Sequence, residues 1–323
     1  MNFENCLLYK LNTKKYLKYL LHISNQKLLN QNYVSSLINP YIAKNPKARL
    51  VEAPNDELKA VQKRIKKLLY SLDIPDNVFS GVKGKSYIDN AKYHCNSNIQ
   101  SLFKIDLTGF FPSIKRENVF NFFFKDLKCS RDIAAILTSL TTVDLKRVDN
   151  NLDEVFSFLE GKNIKNCNHL MTGSPTSQIL SYLVNLDMFN ELQRLSDSYN
   201  IRMTVYVDDI TFSSSYRIPA SFKQKVILII KKYNYQISKK KVKTYTKSYP
   251  KLVTGVIIDK NCNLKIKNST SYKIIQEFRH LKNDPEDEIS RMRLRGLLTT
   301  ARQINPAVFP GIYNFAFNKG SQN

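Results

Sequence analysis

Two adjacent carboxylates stand between apolar residues in the segment 203–212, which reads MTVYVDDITF. Neighbouring side chains on a strand point to opposite faces, so Asp208 and Asp209 can serve one site only if the chain turns between them. The sequence therefore predicts a hairpin with both acids at its tip. Carboxylates on rigid backbone suit Mg²⁺, which prefers oxygen ligands and keeps positions for water and substrate phosphate. The alternative is a solvated turn, since Asp also favours turns.

A third carboxylate lies at the end of another predicted strand. Residues 101–106, SLFKID, end in Asp106, and Gly109 and Pro112 then break regular structure. Two strand ends that carry carboxylates side by side could hold two divalent cations, which activate an attacking hydroxyl and stabilise the leaving phosphate oxygens. The alternative is that Asp106 only caps the turn that follows its strand.

Between these acids the sequence predicts a loop and then a helix. Residues 170–177 read LMTGSPTS, in which Ser174 suits an N-cap and Pro175 the first helical position. Apolar residues recur at helical spacing from Ile179 to Leu195. Gly173, just before the helix, would let backbone approach a phosphate or a base pair. The alternative is an ordinary capped core helix.

In this order the segments resemble the palm motifs of reverse transcriptases. The matching sequences are FKID at 103–106 with FFPS at 110–113, GSPTS at 173–177 and YVDD at 206–209. Two further segments resemble signatures of the retron type. Residues 90–94, NAKYH, match its Asn-Ala-x-x-His pattern, and residues 253–255 match its Val-Thr-Gly pattern. The resemblance runs from about Arg49 through the C-terminal helices.

The resemblance implies roles for residues around the acids. Asp106, Asp208 and Asp209 would ligate two Mg²⁺ ions. Lys241, the last lysine of the run SKKK at 238–241, would protonate the leaving pyrophosphate. In the family this lysine lies between an Asn and a Thr that are absent from the corresponding positions here.

Four residues would contact the incoming nucleotide if the resemblance holds. Phe111 would pack against its sugar and reject a 2′-hydroxyl, whereas the neighbouring Phe110 is expected in the core. Arg49, with Lys47, would hold the triphosphate, because a guanidinium binds phosphate in bidentate fashion. A surface ion pair is the alternative for Arg49. Gly173 would keep the close backbone approach of its loop.

The loop around Gly173 departs from the family pattern. Thr172 stands where the family has a Gln that touches the nucleotide sugar, and Met171 and Gln178 each replace a Pro. These differences affect the expected nucleotide contact of Thr172. They remove no metal ligand.

The two retron signatures imply contact with a structured RNA. Asn90 and His94 are four residues apart, so one helix face presents both. They would recognise or support the RNA, or alternatively form a buried, hydrogen-bonded pair that braces the fingers. Val253, Thr254 and Gly255 would likewise allow close approach of RNA backbone, and the alternative is a strand bulge.

The chain carries 50 Lys+Arg against 27 Asp+Glu, a formal net charge of +23. Such an excess predicts a polyanionic partner, and its spread along the chain favours nucleic acid over a membrane surface. No apolar run approaches the ~18 residues of a spanning helix. Lys18 interrupts the stretch 16–21, so we expect no signal peptide, no membrane and a bacterial cytoplasmic location. The five cysteines contain no Cys-x-x-Cys pair, which disfavours zinc.

The resemblance also implies an architecture. The expected fold class is α+β, a right-hand polymerase with helical fingers, a palm of antiparallel sheet plus helices, and a small helical thumb. We assign residues 1–262 to fingers and palm, with the fingers mostly in 1–99 and part of 115–168. Residues 263–323 form the expected thumb, a basic appendage over a duplex.

Retron enzymes, as the resemblance implies, are RNA-directed DNA polymerases that prime on a 2′-hydroxyl of their own structured non-coding RNA. They consume deoxynucleoside triphosphates (dNTPs), make branched RNA–DNA called msDNA, and defend bacteria against phage with a separate effector protein. A group II intron-like reverse transcriptase is one alternative, which the two retron signatures disfavour. The other is a non-catalytic RNA-binding scaffold with a relic palm, which the intact carboxylates disfavour.

Overall fold

The computed structural model describes residues 1–45, 47–95, 99, 101–148 and 151–317, so residues 318–323 of the expected thumb lie outside the described part. The N-terminal third is mainly helical. Its elements are α1 Lys14–Leu21, α2 Gln31–Ser36, β1 Ile38–Ala43, β2 Arg49–Pro54, α3 Asp56–Leu69 and α4 Tyr87–Tyr93. The turn at Pro54 and Asn55 predicts a helix from Asp56, and α3 begins there. The Asn55 side chain accepts from the Leu58 N–H at 2.9 Å and caps the helix.

The middle of the chain alternates short strands and helices. Its elements are β3 Ser101–Asp106, α5 Phe110–Ser113, α6 Arg116–Asn121, α7 Arg131–Thr141, β4 Thr142–Asp144, α8 Asp153–Gly161, β5 Asn168–Leu170, α9 Ser177–Leu183 and α10 Leu186–Ser198. The prediction of a helix from Ser174 is wrong, because Thr176 is the N-cap and the helix begins at Ser177. The hydroxyls of Ser174 and Thr176 instead bond each other at 2.7 Å in the preceding turn.

The helical pattern from Ile179 to Leu195 is also divided. The helix is interrupted at Val184 and Asn185, between α9 and α10. The Asn185 side chain donates to the Ser181 carbonyl at 2.9 Å, which is the kind of local bond that competes with helix backbone.

The C-terminal part completes the main sheet and adds a helical unit. Its elements are β6 Arg202–Tyr206, β7 Asp209–Ser214, α11 Ala220–Lys232, β8 Lys243–Thr246, β9 Lys251–Val253, β10 Val256–Ile258, β11 Leu264–Lys265, α12 Asn268–Asn283, α13 Glu288–Ile304 and α14 Pro310–Phe317. The apolar run 252–258 predicts one strand, and this prediction is wrong, because β9 and β10 pair as an antiparallel hairpin.

The main sheet is antiparallel, in the order β6-β7-β3-β8. Side chains alternate between its faces, so each strand contributes to both. One face carries buried apolar residues such as Phe103 and Phe212, and Phe212 meets Phe222 of α11 edge to face at 5.3 Å. The opposite face carries Lys104 and Asp106. The α+β class and the antiparallel palm are therefore confirmed.

The last three helices have a hydrophobic core of their own. Ile274 of α12 and Leu294 and Leu298 of α13 are fully buried, and Ala316 of α14 joins them. The sequence predicts the first two helices and misses α14. A separate core is what a small helical thumb requires, while the boundary at residue 263 stays a prediction.

Candidate active site

The main sheet brings the three predicted acids together. Asp106 ends β3 and lies directly opposite Asp209, which begins β7, so the two side chains share one face of the sheet. The Leu107 N–H donates to the Asp208 carbonyl at 2.9 Å, which ties the chain after β3 to the turn between β6 and β7. The hairpin and the strand-end carboxylate predicted from the sequence thus meet at one edge.

The turn that presents Asp208 has an unusual backbone. Tyr206 pairs with Asp209, so Val207 and Asp208 form a two-residue turn between the strands. Val207 has a φ of 57°, a left-handed conformation that a β-branched residue rarely adopts. Strain of this kind costs about 1–3 kcal/mol and clusters at functional sites. The fold thus tolerates a strained turn at the position that presents Asp208.

Two lysines place positive charge on these acids. The Lys241 ammonium lies 2.7 and 2.6 Å from the two oxygens of Asp106. The Lys104 ammonium forms a salt bridge with Asp209. Lys104 was not among the predicted site residues, although it lies two residues before Asp106 and the strand period therefore places both on one face.

The electrostatics of the acids fit a site for cations. Burial, and then the neighbouring Asp106 carboxylate, raise the pKa of Asp208 to about 6. Burial also raises the pKa of Asp209, against the opposing charge of Lys104. Burial alone would lower the pKa of Lys241, but its bonds to Asp106 outweigh that effect and raise it.

Carboxylate oxygens are the ligands that hard divalent cations prefer. The three carboxylates lie near enough for their charges to interact, and the two ammonium groups occupy positions where positive charge is stabilised. The residues present therefore fit divalent metal ions held by Asp106, Asp208 and Asp209.

A cavity of about 590 Å³ opens beside the acids. Of the residues predicted to act on a nucleotide, it is lined by Arg49, Phe111, Thr172, Asp208 and Lys241. Lys47 is exposed in the same segment as Arg49 and is not among the lining residues. The cavity therefore gathers, beside one carboxylate, the side chains expected to contact the sugar and the phosphates of a nucleotide.

The cavity also has a wall that the sequence did not predict. Phe158, Lys162 and Ile164 line it from α8 and the residues that follow. Gly109 is favoured beside this wall, because its φ of 54° is a left-handed conformation that glycine adopts without strain. The region 143–168 is polar and weakly periodic, so this wall was not predictable from the pattern of its residues. Phe110 is buried in the core, as expected.

The loop before α9 contacts the strand β2 closely. A Cβ on Gly173 would lie 2.3 Å from the Glu52 carbonyl oxygen, so a glycine is required for this packing. Thr172 Oγ1 accepts from the Glu52 N–H at 2.9 Å, which directs the hydroxyl to β2. The structure thus gives Gly173 a contact with protein backbone, and its contact with nucleotide stays a prediction.

The Asn-Ala-x-x-His segment lies away from the cavity. Asn90 and His94 are fully buried. The His94 ring bonds Thr204 Oγ1 and Ser213 Oγ, each at 2.7 Å, on the face of the sheet that carries the aspartates. Burial favours the bracing alternative for this pair, with the palm hairpin β6–β7 as the braced element rather than the fingers. A role in RNA recognition stays a prediction.

The two retron-like signatures contact each other. Asn90 Nδ2 donates to Thr254 Oγ1 at 3.4 Å, and Thr254 Oγ1 donates to the Tyr87 carbonyl at 2.9 Å. Thr254 and Gly255, with φ of 41° and 98°, form the two-residue turn of β9–β10. This is a hairpin turn rather than the bulge offered as the alternative. Val253 is buried, and contact of the three residues with RNA stays a prediction.

None of the helices in the described ranges is both long enough and apolar enough to cross a bilayer.

An antiparallel palm with three clustered acids and a helical thumb defines the class of right-hand polymerases. The chain belongs to the reverse transcriptase (RNA-dependent DNA polymerase) family, which it matches over residues 42–278. Reverse transcriptases of retrons are among the proteins to which it is similar.

Two relatives and one solved structure are similar to this chain. The chain is 28% identical over 191 residues to the Retron Se72 reverse transcriptase of Salmonella heidelberg (strain 579083-10), covering 58% of this chain and 43% of that protein. It is 28% identical over 265 residues to the Retron Ec83 reverse transcriptase of Escherichia coli, covering 80% of each. A telomerase structure from Candida albicans with a fragment of telomeric RNA aligns with a TM-score of 0.49 and 10% identity, over 90% of this chain and 56% of that one.

Proposed function

We propose that this chain is the RNA-directed DNA polymerase of a retron. It extends a 2′-hydroxyl of its own structured non-coding RNA with dNTPs and makes branched msDNA. The observation that carries the proposal is the meeting of Asp106, Asp208 and Asp209 at one sheet edge beside the 590 Å³ cavity. The similarity to retron reverse transcriptases supports it.

The metal would be held by the three acids. Asp106, Asp208 and Asp209 would bind two Mg²⁺ ions, which when bound would activate the attacking hydroxyl and stabilise charge on the phosphate oxygens.

The other side chains position the nucleotide. Arg49, exposed at the start of β2, pairs with the triphosphate through its planar guanidinium. Phe111, half-buried in the cavity wall, lies against the sugar and excludes a 2′-hydroxyl. Holding the reactants in this geometry is itself a large part of the rate enhancement in phosphoryl transfer.

The reaction forms one phosphorus–oxygen bond and breaks another. The primer hydroxyl oxygen bonds the α-phosphorus of the dNTP, its proton is released, and the bond to pyrophosphate breaks. Lys241 gives a proton to the leaving pyrophosphate, a general-acid role open to a lysine because its ammonium is protonated at neutral pH.

Charge and surface support an RNA partner. The net charge of +23 favours a polyanion, and counterion release makes such binding salt-dependent. Arg279 and Arg293 are exposed on α12 and α13, where a thumb formed by residues 263–323 would face a duplex. The palm and fingers would occupy residues 1–262. We place the protein in the bacterial cytoplasm, where a separate effector protein would join it in defence against phage.

The test is loss of synthesis without loss of RNA binding. Asp208→Asn, alone and with Asp209→Asn, is expected to abolish nucleotide incorporation on the cognate RNA and msDNA in cells. RNA binding stays measurable and falls with salt. Asp197→Asn, at an exposed acid on α10, is the control and keeps full synthesis. Equal incorporation by wild type and the Asp208 variant would overturn the polymerase assignment.

A further inference from the structure

A buried ion pair lies next to the segments that line the cavity. Glu52 of β2 and His169 of β5 are both fully buried, and His169 Nε2 lies 2.7 Å from Glu52 Oε1. The other ring nitrogen, Nδ1, donates to the Asn166 carbonyl at 3.0 Å. Both ring nitrogens face acceptors, so the imidazole donates from both and carries a positive charge. The two residues are 117 positions apart in the chain, so the pair joins distant segments.

The second oxygen of Glu52 holds the loop before α9. The Thr172 N–H donates to Glu52 Oε2 at 2.8 Å, and the Glu52 N–H donates to Thr172 Oγ1 at 2.9 Å. Gly173 packs against the Glu52 carbonyl, where any Cβ would clash. The contacts are reciprocal, so β2 and the loop cannot shift independently without breaking several buried polar bonds.

Both joined segments form walls of the cavity. The strand side contributes Arg49, Leu50 and Val51, and the loop side contributes Thr172. Arg49 lies three residues before Glu52 on the same strand. A displacement of β2 relative to the loop would therefore move the guanidinium expected to hold the triphosphate.

We infer that Glu52, His169 and Thr172 form a positioning bracket that sets the width of the nucleotide site. This inference rests on the proposed function. The bracket contacts no substrate and acts through Arg49 and the loop before α9. It also accounts for the position of Thr172, since this side chain is engaged with β2 rather than left to reach the nucleotide sugar.

Two substitutions of Glu52 separate positioning from charge. Glu52→Ala leaves the Thr172 N–H and the His169 imidazole without their buried acceptor, which is a costly loss. Glu52→Gln keeps an oxygen for the Thr172 N–H and an amide N–H for a neutral His169. The glutamine variant therefore preserves the bracket geometry without its charges.

The experiment measures single-nucleotide incorporation on the cognate RNA against dNTP concentration. For Glu52→Ala we expect the KM for dNTP to rise about tenfold, the equivalent of about 1.4 kcal/mol, while kcat stays within about twofold. The KM of Glu52→Gln for dNTP is expected to lie within about threefold of the wild-type value. Leu192→Ala, which opens a cavity in the buried core of α10, controls for general destabilisation and keeps the wild-type KM.

His169 supplies an independent check. His169→Ala is expected to raise the KM like Glu52→Ala, and the double variant to add less than about twofold more, because the two residues act as one unit. An unchanged KM in Glu52→Ala, or an equal rise in Leu192→Ala, would overturn the bracket. Absence of incorporation by the wild-type protein would instead overturn the proposed function.

Discussion

Lys241 forms a bidentate salt bridge with Asp106, its ammonium 2.7 and 2.6 Å from the two carboxylate oxygens. Its side chain is 56% exposed, whereas that of Lys104, on Asp209, is 15% exposed. Because its side chain is exposed, Lys241 has room to move from the Asp106 carboxylate into the cavity that it lines. Lys104 is largely buried against the sheet and has no such room. A divalent cation bound as we propose would compete with the Lys241 ammonium for the same oxygens of Asp106.

Removal of Lys241 should have two opposite effects. Lys241→Ala is expected to lower the incorporation rate about 10²-fold, the lower end of what a positioned general acid contributes. It should also lower the Mg²⁺ concentration for half-maximal rate, because the competing ammonium is gone. Single-turnover incorporation measured across a Mg²⁺ titration gives both quantities.

The neighbouring Lys239 provides the control for that experiment. Lys239 is exposed in the same short helical turn and does not line the cavity. Lys239→Ala should keep both the rate and the Mg²⁺ dependence. A Lys241→Ala enzyme with wild-type rate at saturating Mg²⁺ would contradict the general-acid role.

Arg49 and Lys47 should differ in their effect on nucleotide binding. Arg49 lines the cavity and Lys47 does not, although both are exposed basic residues. Arg49→Ala is expected to raise the KM for dNTP about tenfold, the loss of one charge-assisted phosphate contact. Lys47→Ala should change it less than about twofold. Equal effects of the two substitutions would show that only net charge matters.

Phe111 should decide between deoxyribose and ribose. Phe111→Val is expected to raise kcat/KM for ribonucleotides relative to dNTPs at least about tenfold, because the wall beside the sugar becomes smaller. Phe110→Leu is the matched change in the adjacent residue, which is buried against Tyr235 with ring centroids 5.2 Å apart. That variant should lose stability and keep the wild-type preference for dNTPs. Unchanged sugar selectivity in Phe111→Val would exclude the predicted role.

Local chemistry made much of this fold predictable from the sequence. Asn55 and the helical periodicity after it fix the start of α3, and alternation predicts β3 and the hairpin around Asp208. The division between α9 and α10 was missed, because nothing in the apolar spacing reveals that Asn185 bonds the Ser181 carbonyl. The β9–β10 hairpin was read as one strand, since a turn with Thr254 at positive φ is rare for a β-branched residue.

The candidate site was predictable where it depends on local strand ends and not where it depends on distant pairs. The acids follow from two local patterns, the hairpin around Asp208 and Asp209 and the strand that ends at Asp106. The family resemblance predicts that these two patterns meet at one site. Lys104 was accessible from the period of two along β3. Glu52 and His169 were not, because only the tertiary fold brings residues 117 positions apart into contact.

The buried His94 should make stability depend on pH. Burial, with a smaller contribution from Arg202, lowers the pKa of His94 from 6.5 to about 3. In the unfolded chain it titrates near 6.5, so below that pH the unfolded state binds the extra proton. The stabilising contribution of neutral His94 is complete above pH ~6.5 and is lost progressively as the pH falls toward about 3, at ~1.4 kcal/mol per pH unit.

Replacement of His94 should flatten that dependence. The free energy of unfolding of His94→Gln, from urea denaturation, is expected to be lower than wild type at pH 7.5 because a hydrogen bond to Thr204 or Ser213 is lost. Between pH 6.5 and 5.5 it should fall by ~1 kcal/mol less than that of the wild type, because the unfolded-state imidazole is already half protonated at pH 6.5. His22→Gln, at an exposed histidine, should keep the wild-type dependence. Parallel curves for wild type and His94→Gln would contradict the burial argument.

The central claim is that Asp106, Asp208 and Asp209 hold divalent cations at one centre. The most direct measurement is anomalous diffraction from crystals of the protein with its RNA, a non-reactive dNTP analogue and Mn²⁺. We predict anomalous peaks in contact with the carboxylates of all three residues and with the nucleotide phosphates, and their loss in Asp106→Asn. Bound nucleotide without Mn²⁺ at these carboxylates, or Mn²⁺ peaks only elsewhere, would contradict the account.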